Sequence, residues 1–199
     1  MPDTEGARRA IRGFRSSDSS AQPLRLDKYT NTLQVIDYAH HEIHDGSHFS
    51  LSGSVTIALN KVYDIQITTP NTTKWSHFIF EFDVTDTTNW LLYENVTIAQ
   101  AGTGLTAWNN DRNSATTATL VTKGIANDSV ADANVDTVVA GATTLEQGLV
   151  GANKTGGSVN RENEIILKQN EDYSLRFIGT AGTTVTYRLN WYEHTNISV

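Results

Sequence analysis

In residues 77–85 (HFIFEFDVT), Phe78, Phe80, Phe82 and Val84 alternate with His77, Glu81 and Asp83. Alternation of this kind is what a sheet with one buried and one wet face requires. The period recurs from Leu33 onward. Leu51, Val55, Ile57 and Leu59 alternate with small polar residues; Tyr63, Ile65 and Ile67 alternate with Asp64, Gln66 and Thr68. Over residues 90–98, Trp90, Leu92, Val96 and Ile98 face one way and Tyr93, Asn95 and Thr97 the other. Tyr173, Leu175 and Phe177, then Val185, Tyr187, Leu189 and Trp191, repeat the pattern, which leaves Arg188 and Tyr192 on the opposite face. Turn-forming residues separate these runs at 69–71, 86–89, 102–104, 154–158 and 179–182. The expectation is an all-β fold, an antiparallel β-sandwich or jelly-roll-like barrel. Residues 124–150 are the least regular, and either a long loop or a short helix around Thr144–Leu149 is expected there.

Residues 1–33 depart from the pattern. They hold six Lys/Arg against four Asp/Glu, in a chain whose formal net charge is −7. Arg8, Arg9, Arg12 and Arg15 stand among Gly, Ser and Asp, and only Ile11 and Phe14 are available for burial. Such a segment cannot offset its own ordering entropy. Two readings remain: a disordered tail, or an extended basic arm that orders against an acidic partner surface. The expected division is an arm over 1–33 and a sandwich domain over 34–199.

The acidic balance argues against nucleic acid as a partner, because that binding needs a basic face. The absence of cysteine removes disulfides, thiolate zinc sites and a cysteine nucleophile. No apolar run suits a secretory signal or a membrane helix, so neither is expected, and the Asn-x-Ser/Thr sites from Asn71 to Asn196 carry little weight.

Four of the six histidines, His40, His41, His44 and His48, fall within nine residues. A metal site needs three or four ligands converging on one ion. Asp45-Gly46 between β-forming residues is a strong hairpin signal. A two-residue turn there pairs His44 with Ser47 and Ile43 with His48, and sends His44 and His48 to opposite faces. On that expectation the cluster binds no metal, and its imidazoles bond to backbone or to a neighbouring subunit. Glu81 and Asp83 imitate the carboxylate pair of a glycosidase, but they lie on the wet side of a strand whose other side is all Phe and Val. No nucleophile elbow, phosphate-binding loop or HExxH motif occurs. No catalytic residue, metal or cofactor is expected.

Three stretches, HEIHDGSHF (41–49), GTGLTAWNNDRNSATTATL (102–120) and EIILKQNEDYSLRFIGTAGTTVTYRLNWYEH (164–194), together resemble a family of small β-rich structural proteins encoded by tailed bacteriophages. In that family the same blocks occur in the same order. The likeness spans roughly residues 36–194 and leaves out the basic arm. It implies a head decoration or cement protein on the outer capsid surface, made in the host cytoplasm. The major capsid protein would be its partner, in a homo-oligomer, a trimer on lattice symmetry. On this implication Arg8, Arg9, Arg12, Arg15, His41, His44, His48, Asn110 and Arg112 are the candidate capsid or subunit contacts. Asn109–Asn113 would be a hydrogen-bonding loop in which Arg112 can clamp a carboxylate. Two other classes remain open: a head-fibre or tail module that binds a receptor or glycan, and a metal-dependent or glycoside-cleaving enzyme using the histidines, Glu81 or Asp83.

Overall fold

The computed structural model describes residues 12–14, 21–23, 38–127, 137–158, 163–180 and 182–195. The chain divides into two compact units, Met1–His41 with Ile197–Val199, and Glu42–Asn196. In the first, β1 (Arg12–Phe14) and β2 (Ala21–Pro23) pair antiparallel, with Arg12 opposite Pro23. One short helix, α1 (Tyr38–His44), runs into the second.

The second unit is an antiparallel β-sandwich, as the alternation predicts. One sheet is ordered β13 (Lys154–Ser158), β5 (Lys74–Val84), β16 (Thr183–Thr195), β3 (His48–Ile57), β9 (Trp108–Asn109), and β14 (Ile165–Leu167) also pairs with β5. The other runs β12 (Thr143–Val150), β6 (Thr88–Glu94), β15 (Asp172–Gly179), β4 (Val62–Thr68), β10 (Val121–Asn127), β8 (Thr103–Gly104). A two-stranded ladder joins β7 (Thr97–Ile98) to β11 (Thr137–Val138).

The apolar positions of β5, β16 and β3 meet those of β4, β6 and β15 in one core. Phe82 sits edge-on to both Phe177 (4.9 Å) and Trp90 (5.6 Å), aromatic geometry that joins the two sheets. Tyr63 and Tyr187 bring their hydroxyls to 3.3 Å across the sandwich. That approach needs a bare backbone alongside: a Cβ on Gly124 would lie 2.0 Å from the Tyr63 hydroxyl.

Several expectations are corrected. First, residues 90–98 are not one strand. Asn95 takes φ 62 and separates β6 from β7, a left-handed kink that Asn tolerates better than most residues. Second, Thr144–Leu149 lies in an edge strand, β12, and is neither loop nor helix. An irregularity between Thr144 and Glu146 shifts its register, and the shift hides the period from the sequence. Residues 154–158 likewise form a strand, β13, in place of a turn. Third, the polar face of β4 is not wet: Asp64 and Gln66 are fully buried. Gln66 donates to the Gln100 carbonyl (2.8 Å) and the Thr137 hydroxyl (2.9 Å), and accepts from Gly102 N–H (2.9 Å). Polar alternation records a need for hydrogen bonds, which a covering layer meets as well as water does.

Candidate functional site

The histidine-rich segment folds differently from the expected hairpin. Residues Tyr38–His44 are helical, and Asp45-Gly46 ends the helix. Gly46 takes φ 72, its N–H donates to the Ile43 carbonyl (3.1 Å), and Ser47 N–H donates to the Glu42 carbonyl (3.0 Å). This pair of bonds around a left-handed glycine is a Schellman cap. The same Asp-Gly signal serves a hairpin or a helix end, because both need positive φ at the glycine. His44 therefore does not pair with Ser47, nor Ile43 with His48. His40, His41 and His44 lie on α1 and are exposed, while His48 opens β3 and is buried. Among the described residues no three His, Asp or Glu side chains converge as metal ligands do.

Packing adds a second reason for glycine at 46: a Cβ there would lie 2.9 Å from Ser114 Cβ. Gly46→Ala is expected to cost about 1–3 kcal/mol from backbone strain alone, and more with the collision. Denaturant midpoints check this, and adding Ser114→Gly to the variant recovers only the steric part.

His48 anchors a loop. Its carbonyl accepts Asn110 N–H (2.9 Å), its Nδ1 accepts the Asn110 amide (2.7 Å), and Ser50 Oγ donates to Asn110 Oδ1 (2.7 Å). Asn109 donates to the Gly46 carbonyl (2.8 Å) and the Thr116 carbonyl (3.0 Å), and its Oδ1 accepts Asp111 N–H (2.9 Å). Asp111 Oδ1 accepts Asn113 N–H (2.9 Å). The Asn-Asn-Asp-Arg-Asn run thus closes on itself and on the helix cap. Glu193, buried at the end of β16, holds the returning chain. Its carboxylate accepts Thr119 N–H (2.9 and 3.0 Å), Leu120 N–H (3.1 Å), the Thr119 hydroxyl (2.6 Å) and the Trp191 indole N–H (3.0 Å).

What this frame presents is Trp108, 56% exposed, with the Arg112 guanidinium 4.9 Å from its ring centroid. A large aromatic ring in water, stacked by a cation and fixed by a bonded loop, has the chemistry of a protein-binding hot spot. The structure thus joins His48, Asn110 and Arg112 of the expected contacts and leaves His41 and His44 on the helix. Arg12 opens β1, and Arg8, Arg9 and Arg15 lie outside the described residues.

Across the outer face of the same sheet, Tyr192 pairs with His48 on one side and His77 on the other. Tyr192 Oη donates to Glu164 Oε1 (2.8 Å), and His77 Nδ1 meets the same oxygen. Burial lowers the proton affinity of His77, with Glu164 acting in the opposite sense. Sequence reading misses both Trp108 and this row. Trp108 lies in a stretch without long alternation, and the row depends on inter-strand register. Glu81 meets Arg188 (3.4 Å) and Asp83 meets the Thr155 hydroxyl, so each carboxylate is engaged by a cross-strand neighbour.

Compared with known proteins, the chain matches no family model, no curated protein and no solved structure.

Proposed function

We propose that this chain is a structural protein of a tailed-bacteriophage virion that binds the outer capsid surface and stabilises the head. The major capsid protein is its partner, and the chain assembles there as a homo-oligomer, a trimer on lattice symmetry. The likeness of three ordered blocks motivates the reading. The observation that carries it furthest is the exposed Trp108–Arg112 pair, set on a rigid loop inside the second of those blocks. A cement protein needs a fixed, amphipathic contact on a scaffold that does not deform, and a loop hydrogen-bonded to the helix cap and to β3 at a sandwich edge meets that need. No helix among the described residues is long and apolar enough to cross a membrane.

Co-sedimentation with purified capsids tests the proposal. The wild-type chain is expected to bind and to raise the temperature at which capsids rupture. Trp108→Ala is expected to weaken binding at least about tenfold, the loss of one hot-spot residue. The free variant should melt close to wild type, because the ring is exposed. Arg112→Ala should weaken binding less and reduce its salt dependence. A chain with no affinity for capsids, and absent from particles, sinks the reading.

A second reading, a glycan-binding fibre or tail module, is favoured by one observation. A cleft of about 600 Å³ is lined by Trp90, Glu146, Gln147, Asn163 and Glu164, a ring with polar side chains around it. A glycan-array signal without capsid stabilisation selects that alternative.

A further inference from the structure

The outer face of the first sheet holds a cluster that shares only Glu164 with the cleft of the second reading. His194 Nε2 lies 2.7 Å from His77 Nε2, and the two rings are 4.6 Å apart. His194 Nδ1 lies 2.8 Å from the Thr195 carbonyl. His77 Nδ1 faces the Glu164 carboxylate and lies 2.9 Å from the Tyr192 hydroxyl. Hydrogen-bond chemistry restricts where the protons sit. A carbonyl oxygen only accepts, so His194 Nδ1 carries a proton and donates to Thr195. An ionised carboxylate only accepts, so His77 Nδ1 also carries one and donates to Glu164. Each ring is then left with Nε2, and the two Nε2 atoms face each other. Two bare lone pairs repel at that distance, and two N–H groups collide. A single proton between them satisfies both rings.

We propose that His77 and His194 share one proton between their Nε2 atoms, forming an acid-sensitive clasp between β5 and the end of β16. The clasp is a device beyond the capsid-binding reading and does not depend on it. Its surroundings are set for one positive charge. Glu164, just before β14, balances that charge; on β16, Tyr192 stacks on His77 and His194 lies tilted beside it. Glu42 on α1 adds a weaker attraction, and His48 on β3 lies across Tyr192. A second proton would place two imidazolium rings against each other in a site where burial already disfavours charge at His77.

The direction of the pH effect can be worked out from the folded and unfolded chains. His77 takes up a proton less readily in the folded chain than at the ordinary imidazole value of 6.5. The folded pair, already sharing one proton, resists a second, whereas below about 6.5 the unfolded chain binds one on each ring, so stability is lost as pH falls below that value; the shared proton's own contribution is lost as pH rises.

Two measurements on the full chain test this. The first follows the imidazole nitrogens of wild type by NMR from pH 8 to pH 4.5. One bridging proton, and His77 resisting the second until well below 6.5, is the expected result; two rings titrating independently near 6.5 overturn the proposal. The second compares urea midpoints at several pH values for wild type and the double variant His77→Gln/His194→Gln, in which neither position titrates. Wild type should lose up to about tenfold in its folding equilibrium per pH unit below 6.5, and the variant distinctly less. Superimposable pH profiles also overturn it. Should the double variant not fold, the wild-type titration still decides.

Discussion

Arg176→Ala is expected to destabilise the fold by about 3–5 kcal/mol, the cost of breaking a buried ion pair by removing one partner. Arg176 grips Asp64 with both arms of its guanidinium, Nε at 2.7 Å and Nη2 at 2.8 Å, and the pair is buried on the covered face of β4 and β15. Nη2 also donates to the Thr137 carbonyl (2.9 Å), tying β11 to the sheet. Ser174 Oγ donates to the same carboxylate (2.7 Å). Removing the guanidinium leaves a buried carboxylate without its countercharge. The double variant Asp64→Leu/Arg176→Met should regain most of the loss, since apolar replacement of a whole buried pair is often neutral. Chemical denaturation of the three proteins measures this. A single variant within about 0.5 kcal/mol of wild type, the range of ordinary surface changes, contradicts the assignment.

The second large effect concerns Glu193. Glu193→Ala strips the acceptor from two backbone N–H groups, one hydroxyl and the Trp191 indole N–H at once. Each orphaned buried donor costs about 1–3 kcal/mol, partly relieved by water entering the gap. A net loss of about 3–5 kcal/mol is expected. The consequence reaches the candidate site, because Glu193 pins residues 119–120 at the end of the chain segment that carries Trp108 and Arg112. Amide exchange at Thr119 and Leu120 should accelerate far more than exchange in β5. Under the proposed capsid role, binding should weaken even where the variant stays folded. Glu193→Gln should fall between, since one of its two acceptor oxygens becomes a donor facing N–H groups. Unchanged exchange at Thr119 and Leu120 rules out the clamp.

Much of the scaffold is legible in the order of residues. Phe78, Phe80, Phe82 and Val84 have one way to bury together, so β5 and its neighbours arise from period two. The local chemistry of residues 109–113 is also legible, because Asn and Asp bond to backbone within a few positions. The histidine segment shows where such reading stops. Asp-Gly demands a left-handed glycine, and whether that glycine closes a hairpin or ends a helix depends on the partners of the next two residues. Ser47 turns back to Glu42, and His48 pairs with Tyr192, a residue distant in sequence.

By itself, the sequence determined the all-β class and the apolar faces of β4, β5, β15 and β16, because these arise from interactions over a few residues. Only the tertiary structure decided that Asp64 and Gln66 lie under a second layer, that Trp108 stands in water beneath Arg112, and that His77 meets His194. Those outcomes depend on strand register and on which segments cover which face. Both are set by the sum of contacts across the chain, and no local pattern encodes that sum.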